Sequence, residues 1–228
     1  MLNVILETCA GTLTQGLIYA ILSYGIFITY KILDFPDLTV DGSFPLGAAV
    51  TAVLLTHGVN AWLTLPIALV IGALAGLCTG LIHVRAKVRD LLAGIITMTA
   101  LYSINLQIAG SNLTVDRGTD TIFTSAPVMA LLGSVPLLYR KLIVSLVLVV
   151  LIGLVLEWYF STKNGLLLRA VGDNDTLVTT LAVDKGRMKI LGLVIANALV
   201  ALSGCIVCQE GRSFSCLLYT SPSPRDTR

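Results

Sequence analysis

Of the 228 residues, 56% are hydrophobic and only 12% are charged, and the mean hydropathy is +0.90. A soluble globular domain carries roughly 25% charged residues to cover its surface, so this composition excludes a water-soluble fold and points to lipid as the solvent. The net charge of +2 is small and the basic residues do not cluster on one soluble face, which argues against nucleic-acid binding.

A membrane-spanning helix needs roughly 20 mostly apolar residues, because each adds about 1.5 Å across a hydrocarbon core about 30 Å thick. Six stretches approach that length: Gly11 to Tyr30, a short one from Phe44 to Leu55, Ala61 to Ile82, Leu91 to Ala109, Leu142 to Phe160, and Ile190 to Val207. Long unbroken apolar runs are the pattern of helices and not of alternating barrel strands. The predicted fold is all-α, a polytopic transmembrane bundle of about six spans. No basic leader or early cleavage site precedes the first stretch, which reads as a retained helix.

Basic residues in short loops set the orientation. Lys31, the run Arg85, Lys87 and Arg89, and the group Lys163, Arg169, Lys185, Arg187 and Lys189 mark cytoplasmic loops. The segment Gly110 to Pro136 holds one cation, Arg117, beside Asp116 and Asp120, and falls outside, as does the N-terminus. Arg140 and Lys141, at the outer end of the fifth span, go against the rule.

Between the first two spans, LDFPDLTVDGSFPLG (Leu33 to Gly47) carries two prolines, two glycines and three aspartates. It reads as a cytoplasmic loop before a short helix, or as a broken helix lining a cavity; irregular backbone at membrane depth is tolerated only where protein or water covers it. On the third span Gly72, Gly76 and Gly80 recur every four residues, a small-xxx-small packing face whose partner the sequence leaves open.

Polar residues inside spans are costly unless paired or facing water, which makes them candidates for a translocation path. These are Thr97, Thr99, Ser103, Asn105 and Gln107 on the fourth span and Asn197 on the sixth. Hydrogen bonding between helices is the plainer role for the same residues. No phosphate-binding loop, zinc motif or nucleophile–base constellation is present, so the chain is expected to be neither an enzyme nor a holder of ATP or metal. His57 and His83 read as interfacial residues, and the CxxC of Cys205 and Cys208 as packing within an apolar helix.

The loop from Asn164 to Lys189 is longer than a connector needs. Asp173, Asn174, Asp175 and Thr176 suit a helix N-cap. Leu177, Val178 and Leu181 then give a short helix an apolar face. Such a helix can lie on the membrane or dock in a groove of a soluble partner; its Thr-rich polar face, without Lys or Arg, favours docking.

The run Gly165 to Gly204, GLLLRAVGDNDTLVTTLAVDKGRMKILGLVIANALVALSG, resembles the cytoplasmic loop and following helix of the branched-chain amino-acid/ribose-type ABC permease superfamily. The runs Leu33 to Val50 and Ala93 to Gly110 are similar to a subgroup of uncharacterised ABC permeases that includes proteins assigned to import of tryptophan and other amino acids. The resemblance covers about Leu13 to Gln209. It implies a multi-pass permease of the bacterial inner membrane that pairs with a second copy, receives its solute from an external binding protein, and is driven by a separate ATP-binding subunit. It also implies a coupling segment made of Arg169, Asp173, Asn174 and Asp175 followed by Thr176, Leu177 and the residues to Leu181, with no cofactor in this chain. An ion-coupled secondary transporter, or a membrane scaffold without transport, is the alternative; the former usually needs an intramembrane carboxylate or a broken helix. Residues 1–211 form the permease domain on this reading. From Arg212 the chain turns abruptly polar and Pro/Ser-rich, and 212–228 read as a disordered tail or as adapter-like sequence foreign to the protein.

Overall fold

A computed structural model describes residues 2–110, 112–116, 118–133, 135–173 and 184–215. The apolar runs form helices that are longer than the hydropathy alone suggests, because their ends carry polar turns through the membrane interface. They are α1 (Leu2–Phe27), α2 (Val40–Thr56), α3 (Ala61–Arg85), α4 (Asp90–Ala109), α6 (Leu137–Ser161) and α8 (Lys185–Gly211), with two short helices between them, α5 (Ala126–Leu132) and α7 (Lys163–Asp173). Among the described residues, five segments are long and apolar enough to cross a membrane. The sixth, α2, has 17 residues, about 26 Å at 1.5 Å per residue. It begins at Val40, earlier than the expected Phe44, and carries Pro45 inside it.

Helix α8 is the axis of the bundle. Two thirds of its apolar window is buried (67%), against 33% for α3 and 22% for α6. It packs against α1, α2, α3 and α7, while α4 sits outside α2 and α3, and α6 outside α1. Large apolar side chains cover the outer faces: Val70, Leu74, Leu151, Leu154 and Trp158 are all more than half exposed. In lipid those residues need no cover, and helices associate through close packing and hydrogen bonds instead. The glycine stripe of α3 supplies the close packing. A Cβ on Gly72 would collide with the Asn197 carbonyl and Ala201, one on Gly76 with the Leu193 carbonyl, and one on Gly80 would come within 3.0 Å of Ile190. The partner of the stripe is therefore α8, running antiparallel.

The loops sort to two ends. At one, His83 on α3 meets Asp90 on α4 at 3.0 Å, and the Gly172 backbone of α7 lies against Ile32. At the other, β1 (Asn112–Thr114) and β2 (Ser213–Ser215) pair antiparallel, with Leu113 opposite Phe214. The first end holds the basic loops and is cytoplasmic by the charge rule; the second is external. The two exceptions to that rule have local explanations. Lys141 pairs with Glu210 at 2.8 Å, and Arg140 folds back to donate to the Val135 carbonyl at 3.1 Å.

Candidate translocation path and coupling surface

The helix break is where the polar residues converge. Helix α1 passes into a π-helical turn, Ile28–Ile32, and the chain then runs irregularly to Thr39. Asp34 takes a left-handed φ of 51°, a conformation an aspartate tolerates better than most residues. Leu33 and Phe35 are buried, and Phe35 meets the His83 ring edge-on at 5.1 Å. The segment is thus drawn into the bundle. Its Asp37 carboxylate accepts from the Thr39 backbone N–H at 2.8 Å through one oxygen and from the Asn197 amide at 2.8 Å through the other. Asn197, fully buried on α8, also donates to the Leu193 carbonyl at 3.1 Å and accepts from the Ser43 hydroxyl at 2.8 Å. The Thr39 and Thr79 hydroxyls are 2.9 Å apart. Asn105 on α4 donates to the Gly42 carbonyl at 3.1 Å.

Asn197 stands twelve residues into α8, about 18 Å along its axis at 1.5 Å per residue. The carboxylate bonded to it is half-buried, beside the exposed Asp34, Pro36 and Leu38. Of the two sequence readings of Leu33 to Gly47, the described geometry is a loop over 33–39, with those three residues exposed, before the 17-residue helix α2. Neither Asp37 nor Ser43 was among the residues the sequence singled out, though a segment with three aspartates and two prolines was the visible sign.

The six polar residues expected on the path divide. Thr97, Asn105 and Asn197 are buried; Thr97 donates to the Ala93 carbonyl at 3.0 Å, and the Asn105 side-chain carbonyl has no partner among the described residues. Thr99, Ser103 and Gln107 are exposed on the opposite side of α4. Spaced four apart, they form one polar stripe. Thr99 and Ser103 bond only to carbonyls of their own helix.

A second polar cluster closes the external end. The Gln209 side-chain carbonyl accepts from the Ile122 backbone N–H at 2.9 Å, and its amide donates to the Thr64 hydroxyl at 2.8 Å. The Trp62 indole donates to the Ser125 hydroxyl at 3.1 Å. Residues 121–125 are thereby pinned over α3 and α8. Cys205 and Cys208 are both buried and unbridged in this region, and no group of three metal-ligating side chains occurs among the described residues.

At the cytoplasmic end, α7 was not foreseen as a helix. It buries Leu168 and Val171 against the turn after α1 and against α8, and leaves Lys163, Asn164 and Arg169 exposed. The Arg169 guanidinium lies 5.2 Å from the Phe160 ring centre. Asp173, expected to cap the next helix, is the last residue of α7. Asn174, Asp175, Thr176, Leu177 and Leu181 lie outside the described residues. The chain resumes at Asp184, which caps α8 by accepting from the Gly186 N–H at 3.0 Å. Beside it a cleft of about 530 Å³ is lined by His83, Lys87, Arg89, Lys185 and Lys189, with Asp90 and Asp184.

Among the described residues, five spans including the central α8, a polar cluster around Asn197 and a basic cytoplasmic end make this a multi-pass membrane protein. The chain belongs to the family described as branched-chain amino acid transport system / permease component, which matches residues 8–218. These are permease components of ABC importers in the bacterial inner membrane, and not enzymes. Among curated relatives it is 37% identical over 199 residues to the tyrosine transport system permease protein of Clostridioides difficile (strain R20291), covering 87% of this chain and 63% of that protein. An uncharacterized protein of Rickettsia prowazekii (strain Madrid E) is 34% identical, covering 86% of this chain and 66% of that one. The ribose import permease protein RbsC of Haemophilus influenzae is 26% identical, covering 91% and 60%. The chain thus spans about two thirds or less of the length of these relatives. No solved structure matches it.

Proposed function

We propose that the chain is the membrane-spanning permease subunit of an ATP-driven importer for an amino acid or a related small solute. It works as a pair of copies, with a separate ATP-binding subunit and an external substrate-binding protein. The observation that carries this reading is the Thr99–Ser103–Gln107 stripe. Polar side chains on an outward face are costly against lipid, whereas facing a second copy across a wetted path they are satisfied. The buried set, Asn105, Asn197 and Ser43, with the half-buried Asp37, then locks the helices behind that wall, and Thr97 belongs with it. The amino-acid assignment rests on the relative at 37% identity, whose name specifies tyrosine.

The segment from Asp173 through Asn174, Asp175, Thr176 and Leu177 to Leu181 is the part offered to the ATP-binding subunit. Helix α7 supports it by packing against the inner ends of the bundle, and the adjoining basic cleft suits an acidic rim on that partner. The permease itself needs no cofactor; ATP is bound by the partner.

The test is uptake of labelled tyrosine, leucine and ribose into proteoliposomes holding this chain with an ATP-binding subunit and binding protein encoded beside it. ATP-dependent tyrosine uptake is the expected result. The Asp37 carboxylate at the helix break favours a second reading, an ion-coupled transporter. Uptake driven by a proton or sodium gradient without nucleotide would select it.

A further inference from the structure

A groove of about 630 Å³ runs between α1 and α6 at the cytoplasmic membrane boundary. Its walls are apolar, with Phe27 and Ile28 on one side and Val150 and Leu154 on the other. Its floor is open at Gly153, where a Cβ would lie 3.3 Å from the Tyr24 hydroxyl. Two opposite charges stand at its mouth, Glu157 of α6 and Arg169 of α7. Both are exposed, and neither has an ion-pair partner among the described residues. Glu157 is four residues from the end of α6, about 6 Å at 1.5 Å per residue, which is headgroup depth for a span ending there. Arg169 is held over the same mouth by its stacking on Phe160, a contact that orients the guanidinium without using its donors.

We propose that this groove binds one phospholipid whose headgroup carries both a phosphate and a primary ammonium. The phosphate oxygens take the Arg169 fork, which matches them bidentately. The ammonium donates to the Glu157 carboxylate. One acyl chain lies along Val150 and Leu154, and the Tyr24 hydroxyl is placed to donate to an ester carbonyl. Charge complementarity selects the occupant. A purely anionic lipid leaves Glu157 facing negative charge, and a quaternary ammonium has no proton to donate to it. The site is distinct from the polar break and does not depend on what is transported. It also gives Arg169 a role on the membrane side of α7, separate from the coupling segment that follows.

Native mass spectrometry of the full chain tests this, after reconstitution with equal amounts of phosphatidylethanolamine, phosphatidylglycerol and phosphatidylcholine of identical acyl chains. Preferential retention of phosphatidylethanolamine by the unaltered protein is the expected result, so the proposal stands or falls before any variant is made. Arg169→Gln should cut that retention roughly tenfold, the scale of one lost charge-assisted hydrogen bond. Glu157→Gln should keep a bound lipid but erase the preference among the three, and Gly153→Phe should empty the groove. Unaltered melting and circular dichroism would show that the variants remain folded. Equal retention of all three lipids by the unaltered chain, or undiminished retention by folded Arg169→Gln, overturns the proposal. So does efficient disulfide cross-linking of two copies through Leu154→Cys, which would put protein where the acyl chain belongs.

Discussion

Asn197 does more than any other side chain to join the bundle's parts. Its amide and carbonyl reach Asp37, Ser43 and Leu193, so one residue on α8 ties down the helix break and the start of α2. Asn197→Leu keeps the volume and removes all three bonds. It leaves the half-buried Asp37 carboxylate without its Asn197 donor, at a cost of about 1 kcal/mol. We expect a lower melting temperature in detergent. We also expect Asp37→Asn combined with Asn197→Leu to destabilise by less than the sum of the single changes, because the two share one interaction. Additive effects would mean the bond contributes nothing.

Elements are held by shape as well as by bonds. The stripe Gly72, Gly76, Gly80 lets the α3 and α8 backbones meet, and lipid offers no hydrophobic drive to replace that contact. Gly76→Val should therefore cost at least about 1–3 kcal/mol through overpacking, whereas Gly11→Val, with nothing within 4 Å of the added carbon, should leave the melting temperature unchanged. Equal effects at the two positions would refute the assignment of the stripe to α8. The spans and this stripe were legible in the sequence because lipid-facing residues must be apolar and close-packed ones must be small, both local constraints. Helix α7 was not. Its buried apolar positions, Leu168 and Val171, are flanked by Gly165 and Gly172, and what stabilises it is burial against the turn after α1 and against α8, which composition does not record. The tie that holds the 33–39 segment was hidden for the same reason: it runs to Asn197, 160 positions away from Asp37.

At the scale of the whole molecule, the polar residues of α4 face two ways. Thr97 and Asn105 look in and Thr99, Ser103 and Gln107 look out. Helical spacing puts Thr97 and Thr99 on different faces, but which face meets the bundle depends on α2 and α3. If the outer stripe faces a second copy, Gln107→Cys should form a disulfide-linked pair in native membranes, and Val70→Cys, exposed on α3, should not. Cross-linking at Val70 without any at Gln107 would move the interface to another side.

The central position of α8 also has a consequence for synthesis. The glycine face of α3 and its partner surface around Asn197 are about 120 residues apart, so at roughly 5–20 residues per second the ribosome needs some 6–24 seconds to deliver the second after the first. During that interval five helices have entered the membrane without the one they pack around. The bare stripe on α3 and the unpaired Asp37 must then be sheltered by lipid, water or the insertion machinery. A nascent chain arrested before α8 should accordingly be a ready substrate for membrane proteases, and the full-length bundle should not.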